Sequence, residues 1–263
     1  MLRAMSTAAS GMKAQQMNID TIANNLANVN TAGYKRSQAE FQDLLYEAVV
    51  PGGGGRATGS SAPTRIEIGH GVKLVATNKS FKQGMIRQTG NPLDMMIEGE
   101  GFFQVRLPDG TTAYTRDGSF KLDAERNIVT AAGYMLEPPA QIPEDAIEIA
   151  IARDGALSVL LQGDNSTVQQ IGQFEIARFP NPAGLTARGG NLFLESPASG
   201  VPLLGRAGEE GMGEISAGFL EMSNVETVEE LINMITAQRA YELNSKTISV
   251  ADDMMQNVNM LRR

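Results

Sequence analysis

The sequence holds no cysteine, no tryptophan and a single histidine. Disulfides, zinc–thiolate sites and thiol nucleophiles are therefore excluded. No run of about 18 apolar residues occurs, so no membrane-spanning helix is expected. The first residues, Met1 to Met5, include one arginine but no apolar stretch of the kind found in a secretory signal. Positive charge is also in deficit. The net charge is −8 over 263 residues, which argues against a nucleic-acid partner. On these facts alone the chain reads as cytoplasmic, with enough length for a real core.

Charge is scarce at the amino-terminal end, where residues 1–33 carry only Arg3, Lys13 and Asp20. There Met5, Ala9, Met12, Gln16, Ile19, Ala23 and Leu26 recur at alternating steps of four and three, a heptad seam that Leu2, Ile22 and Val29 widen. A helix with such a dry face needs a partner, either its own domain's core or another helix. Asn24, Asn25 and Asn28 crowd its end. Asn28, Asn30 and Thr31 are poor helix formers that compete for their own backbone. Gly33 sits where a C-terminal cap belongs, with Lys35 and Arg36 just beyond. Buried asparagine amides need partners, which suits an inter-helix or inter-subunit interface.

Residues 34–65 change character. Phe41, Leu44, Leu45 and Val49 suit a short helical or extended piece, and Pro51–Pro63 has the Gly/Ser/Pro composition of a linker. From Arg65 the apolar period falls to two, in Ile66/Ile68 and Val72/Leu74. Short β-prone runs then follow one another: Leu93–Leu107 broken at Glu98–Gly101, Ala113–Thr115, Phe120–Leu122, Ile147–Ile151, Leu157–Leu160, Ile171–Phe179, Asn191–Leu194 and Ile215–Leu220. Asp109-Gly110, Asp117-Gly118 and Asp154-Gly155 mark turns between them. Close spacing without intervening helices predicts antiparallel sheet.

The last segment is helical again. Ser223 or Asn224 is placed to cap it, Glu226, Glu229 and Glu230 lie early, and Arg262 and Arg263 end it. Its stripe is Val228, Leu231, Ile235, Tyr241, Ile248, Met255 and Val258, interrupted by Gln238 and Ser245. The predicted class is α+β. Long amino- and carboxy-terminal helices pair as a coiled-coil-like unit around an inserted antiparallel β-rich domain. The segments are residues 1–33, 34–71 (linker), 72–221 (β-rich) and 222–263. Polar residues in both seams suit an interface that sets register as well as burial. Repeating a contact that does not close produces a helical filament.

Chemistry-bearing residues offer little. His70 lies between two glycines with no histidine or cysteine partner. Asp94, Glu98 and Glu100 read as a solvated hairpin rather than a glycosidase pair. Asp123–Asn127 resembles a calcium loop but has Ile128 where glycine is required. Gly99–Gly101 fails the dinucleotide fingerprint, and Gly52–Gly55 lacks the lysine of a phosphate loop. No enzyme activity, cofactor or metal is expected.

Ala23–Lys35 resembles the amino-terminal signature of the bacterial flagellar rod and hook proteins, and Met234–Ile248 their carboxy-terminal signature. Gly101–Val105 and Ala113–Phe120 resemble their shared β domain. Length, and the linker followed by Ile66–Val72, are most similar to the distal-rod branch; the hook protein or another rod protein is the alternative within the family. A secreted β-domain adhesin or enzyme is the alternative outside it. The resemblance implies a subunit exported through the flagellar type III apparatus without a cleaved signal. It polymerises with itself in the periplasm into a torque-bearing rod. Implied neighbours are proximal rod proteins, the hook or junction proteins, the rod cap and the surrounding P- and L-ring bushing. Tyr46–Gly71 is implied to wedge between neighbouring subunits. The expected assembly interface comprises Met5, Met12, Ile19, Ile22, Asn24, Asn25, Leu26 and Asn28, with Leu231, Ile235, Gln238, Tyr241, Asn244, Ile248 and Met255. Asn30, Thr31, Gly33, Tyr34 and Lys35 form a turn expected to aim Tyr34–Arg36 outward toward neighbours, the asparagine amides holding subunit register.

Overall fold

A computed structural model describes residues 2–50, 66–161, 168–209 and 211–261. The expected linker at Pro51–Pro63, together with Arg262 and Arg263, lies outside the described residues. The chain forms two compact units. One comprises Met1–Ala27, Ser37–Asn78 and Glu226–Arg263; the other comprises Asn28–Arg36 and Lys79–Val225.

The first unit is built on two helices, α1 (Leu2–Ala27) and α2 (Thr227–Leu261). At about 1.5 Å per residue they are roughly 39 and 52 Å long. They pack against each other. Ala4 shares a groove with Val250 and Met254, whereas Gly11 abuts the Asn244 side chain, so the helices run antiparallel. The segment after α1 is extended rather than helical: Ser37–Asp43 pairs with Val72–Lys79, and Tyr46–Val50 pairs antiparallel with Ile66–Gly69. Within this ribbon Leu44 N–H donates to Gly71 C=O at 2.8 Å, and His70 N–H donates to Leu45 C=O.

The second unit is antiparallel β, as the Asp-Gly punctuation predicts. Phe102–Arg106 is the centre of a nine-stranded sheet. Thr112–Thr115 pairs on one side of it, Met135–Glu137 and Glu175–Arg178 on the other. Ala146–Ile151, Ala156–Leu161 and Val168–Gln173 form a separate three-stranded sheet. The turn glycines Gly110 and Gly155 adopt φ of 81° and 82°, the left-handed region that Asp-Gly turns exploit. Inward-facing Met95, Ile97, Phe103, Val105, Phe120, Leu136, Leu157, Phe174, Ile176 and Ile215 make one core. A second, aromatic cluster joins Phe102, Tyr114, Phe179 and Phe193. Among the described residues no helix is long and apolar enough to cross a membrane.

Phe103 is 1% exposed and packs edge-to-face on Phe120 at 5.2 Å. Phe103→Ala is expected to cost about 3–5 kcal/mol, read as a lowered denaturant midpoint of the full chain.

Candidate assembly site

The first element of the site is the seam between α1 and α2. On α2 the buried residues Glu230, Ala237 and Ala251 lie at heptad spacing, with half-buried Asn244 completing the series. Met234, Ile248 and Met255 alternate with them, half-buried. On α1 the corresponding line is Ala8, Gly11, Gln15, Asn18, Ile22 and Asn25, with Ala14 beside it. This line is displaced by one position from the seam read in the sequence. Small residues face the partner, and close approach is what they permit: a Cβ on Gly11 would sit 2.9 Å from Asn244 Nδ2.

Large apolar residues are consequently left outside. Val228, Leu231, Ile232, Ile235, Leu243, Val250, Met254 and Leu261 are all exposed. At about 100° per residue most of these fall on the side of α2 opposite the Ala237/Ala251 line. So α2 carries an apolar stripe on each of two faces, which is why its periodicity in the sequence looks poor.

The predicted interface residues divide accordingly. Ile22 and Asn25 are buried. Met5, Met12, Ile19, Leu26, Asn28, Asn244, Ile248 and Met255 are half-buried. Asn24, Leu231, Ile235, Gln238 and Tyr241 are exposed. Asn25 has an intrachain partner. Its amide is 1% exposed; Nδ2 donates to Ser37 C=O at 2.7 Å and Oδ1 accepts from Ser37 N–H at 2.9 Å. A carboxamide matches both groups of one peptide, so the Asn25 amide ties the end of α1 to Ser37 of its own chain. Asn28 likewise receives Thr31 Oγ1 within the turn, at 3.2 Å. Ser223 and Asn224 do not cap α2, which begins at Thr227.

The second element lies in the β unit, where the Asn30–Lys35 turn is turned inward, not outward. Asn30 is exposed and Thr31 half-buried, but Gly33, Tyr34 and Lys35 are buried. Lys35 Nζ donates to Glu221 Oε1 and to Lys82 C=O, at 2.6 and 2.8 Å. The other oxygen of Glu221 accepts from Arg116 Nη1 at 3.2 Å, and its Oε1 also accepts from Gly84 N–H at 2.9 Å. Arg116 Nη2 donates to Gly99 C=O at 2.6 Å, and its guanidinium lies 5.3 Å from the Phe102 ring centre. Burial presses the Lys35 ammonium below its ordinary range; Glu221 pulls it back and Arg116 adds to the downward push. Burial also lowers Arg116, against the pull of Glu221. A dry lysine needs a carboxylate, and the one available is 186 residues away.

The backbone is stitched at the same point. Gly33 N–H donates to Glu221 C=O at 2.8 Å, Arg36 N–H donates to Asn224 Oδ1 at 2.7 Å, and Asn224 Nδ2 donates to Ser80 and Lys82 C=O. Gly33 has φ +68°, and a Cβ there would strike the backbone of Arg116 and Asp117. Glycine is required at that position for two independent reasons. Arg116 and Glu221 were not singled out in the sequence, and Asn224 only as a candidate helix cap; Arg116 lies inside the Ala113–Phe120 stretch, but nothing local marks Glu221 as buried.

The flagellar basal-body rod protein FlgG of Borreliella burgdorferi is 49% identical to this chain over the whole of both. The chain belongs to the flagellar basal-body rod protein family. FlgG of Caulobacter vibrioides is 45% identical, covering 99% of this chain and all of that relative. In Bacillus subtilis FlgG is 38% identical and the hook-basal body complex protein FlhP 31%, each over all of both chains. The family model of the flagella basal body rod protein matches residues 5–35. That of the flagellar hook protein FlgE/F/G D1 domain matches 96–159, and that of the flagellar basal body rod FlgEFG protein C-terminal matches 216–261. The family's terminal matches therefore run through α1 to Lys35 and from Ser216 through α2. Each includes part of the Lys35–Glu221 node as well as a helix.

Glu221→Gln leaves two buried cations without their counter-charge and is expected to destabilise the β unit by about 3–5 kcal/mol. Lys35→Met keeps the Arg116–Glu221 pair and is expected to cost less. Thermal unfolding of the two variants beside the parent chain tests the order; equal losses would contradict it.

Proposed function

We propose that this chain is a structural, non-enzymatic subunit of the flagellar distal rod, which polymerises with itself into a tubular shaft carrying torque from motor to hook. Membership of the rod family supports the assembly role. The observation that carries it furthest is the double-faced α2: one apolar stripe is spent on α1, and a second, made of larger residues, is left exposed. A monomer gains nothing from such a stripe, whereas a helical array covers it. The proposed contact residues are Leu231, Ile235, Gln238 and Tyr241, joined by Val228, Ile232, Leu243, Val250 and Met254. Met5, Met12, Ile19, Asn24 and Leu26 supply the matching line on α1, with half-buried Asn28, Asn244, Ile248 and Met255 at its margins. The exposed Phe41, Leu45, Tyr46 and Ile68 of the two-stranded ribbon are proposed to meet neighbouring subunits.

In this reading the subunit is passed through the flagellar type III export apparatus without a cleaved signal and assembles in the periplasm beneath a rod cap. Its axial neighbours are proximal rod proteins on one side and hook or junction proteins on the other, with the P- and L-rings around it. The absence of cysteine suits a chain that travels unfolded and arrives in an oxidising compartment.

Ile232→Asp and Leu243→Asp change exposed residues, so the monomer's melting temperature should stay within a few degrees of the parent. Both variants should fail to form rods by electron microscopy of basal bodies and should leave cells non-motile. Normal rods in either would remove the helix-face contact. Hydrogen exchange offers a second test: in dilute monomer, amides of α1 and α2 should exchange well before those of Met95–Val105. Equal protection would show that the helix pair is stable without neighbours.

A further inference from the structure

Beside the Lys35–Glu221 node, and wholly within the β unit, lies a cleft of about 380 Å³. Its floor is aromatic. Phe102 and Phe179 are buried, and Phe81 stands against Phe102 edge-to-face at 5.4 Å. Lys82, Arg116 and Arg178 line it, against one carboxylate, Glu100, which accepts from Arg178 Nε at 2.8 Å. Glu221 does not neutralise the surplus, because it is shared between Arg116 and Lys35. Arg116 is 4% exposed, and its Nε–H has no hydrogen-bond partner among the described residues. A preformed hollow with stacked guanidinium, flanking cations and an apolar floor suits a carboxylate on an apolar stem. On a chain of net charge −8 this positive hollow is local.

The same unit displays a segment of the complementary kind. Pro143–Ile151 contains Glu144, Asp145 and Glu148, all exposed, and no basic residue. Ile147 stands out among them at 62% exposure, at the start of the outer strand of the three-stranded sheet. Two acids, Glu144 and Asp145, lead into this edge strand and Ile147 and Glu148 follow within it, so acid and apolar groups stand close together, matching the cation and aromatic lining of the cleft.

We infer that the Phe81/Phe102/Arg116 cleft of one copy receives the Glu144–Glu148 segment of a second copy. The inference rests on the self-assembling rod reading and adds to it a lateral contact between β units. The two surfaces differ, so the contact is heterologous, and repetition propagates it instead of closing a pair. Exposed charges contribute most of its electrostatics, so added salt weakens it.

The chain's lack of cysteine makes the test clean. Full-length Lys82→Cys and Glu144→Cys variants are mixed, polymerised and oxidised, with a Lys82→Cys plus Lys121→Cys mixture as control. A disulfide-linked dimer from the 82/144 mixture alone is expected. Lys82→Glu, whose melting should match the parent, is expected to raise the concentration needed for polymer by about tenfold. Lys82→Glu with Glu144→Lys in the same chain should restore it. Polymer without an 82–144 disulfide overturns the inference and leaves the rod-subunit reading standing. So does an equally strong 82–121 product, unchanged assembly of Lys82→Glu, or no recovery in the double variant. A parent chain that forms no polymer at all overturns both.

Discussion

A single buried carboxylate, that of Glu221, ties the β unit's short first segment, Asn28–Arg36, to the end of its long second one, Lys79–Val225. Lys35 arrives in the polypeptide just after the first helix, and Glu221 just before the second. Neither tolerates burial alone: a dry ammonium or carboxylate costs several kcal/mol unless paired and hydrogen-bonded. Together with Arg116 and the carbonyls of Lys82, Ile97 and Gly99 they form a network in which both Glu221 oxygens, Lys35 Nζ and both terminal nitrogens of Arg116 are hydrogen-bonded. Replacing the network by apolar side chains of equal volume need not lower stability. What such a network supplies is a unique register, because other pairings of these segments strand a charge.

The helix unit follows a different logic. Ala8, Gly11, Ala237, Asn244 and Ala251 are prominent in the seam between α1 and α2, while Val228, Leu231, Ile232, Ile235, Leu243 and Val250 of α2 are exposed. In a protein whose final state is a monomer this would be an inverted helix. It becomes consistent once burial is counted over an assembly. Close backbone approach through small residues forms a compact two-helix unit, and the bulk of the apolar area stays available for neighbours. Polar side chains within the narrow seam, such as Asn244 against Gly11, specify which residues come opposite each other.

Much of this was legible in the chain. The two terminal helices, the succession of short strands and the turns at Asp109-Gly110 and Asp154-Gly155 rest on local chemistry, and local chemistry is visible in sequence; Asp117-Gly118 is instead extended, its glycine carbonyl accepting from Met95 N–H. The faces were not. The seam at Met5–Leu26 has a clean heptad period, yet the line packed on α2 lies one position earlier, because periodicity locates apolar stripes without saying which partner each one meets. Residues 37–50 form strands rather than helix, a choice settled by pairing with residues 66–79. The outward turn at Tyr34–Arg36 became an inward one for a similar reason: lysine and arginine after a helix normally point to water, and only the distant Glu221 reverses that preference. Asn25 was recognised as needing a partner, but the partner, the Ser37 peptide, was its own chain's.

The bond from Gly33 N–H to Glu221 C=O, at 2.8 Å, has a further consequence. Residues 37–78 belong to the helix unit, but Lys79–Val225 begins and ends at this same point, where Asn224 Nδ2 donates to Ser80 and Lys82 C=O. That segment is, topologically, a loop with coincident feet. Such a loop can lengthen, shorten or acquire additional modules without changing the separation of its feet. A lineage of filament proteins can therefore vary its outer surface while the spacing at this one stitched position stays constant.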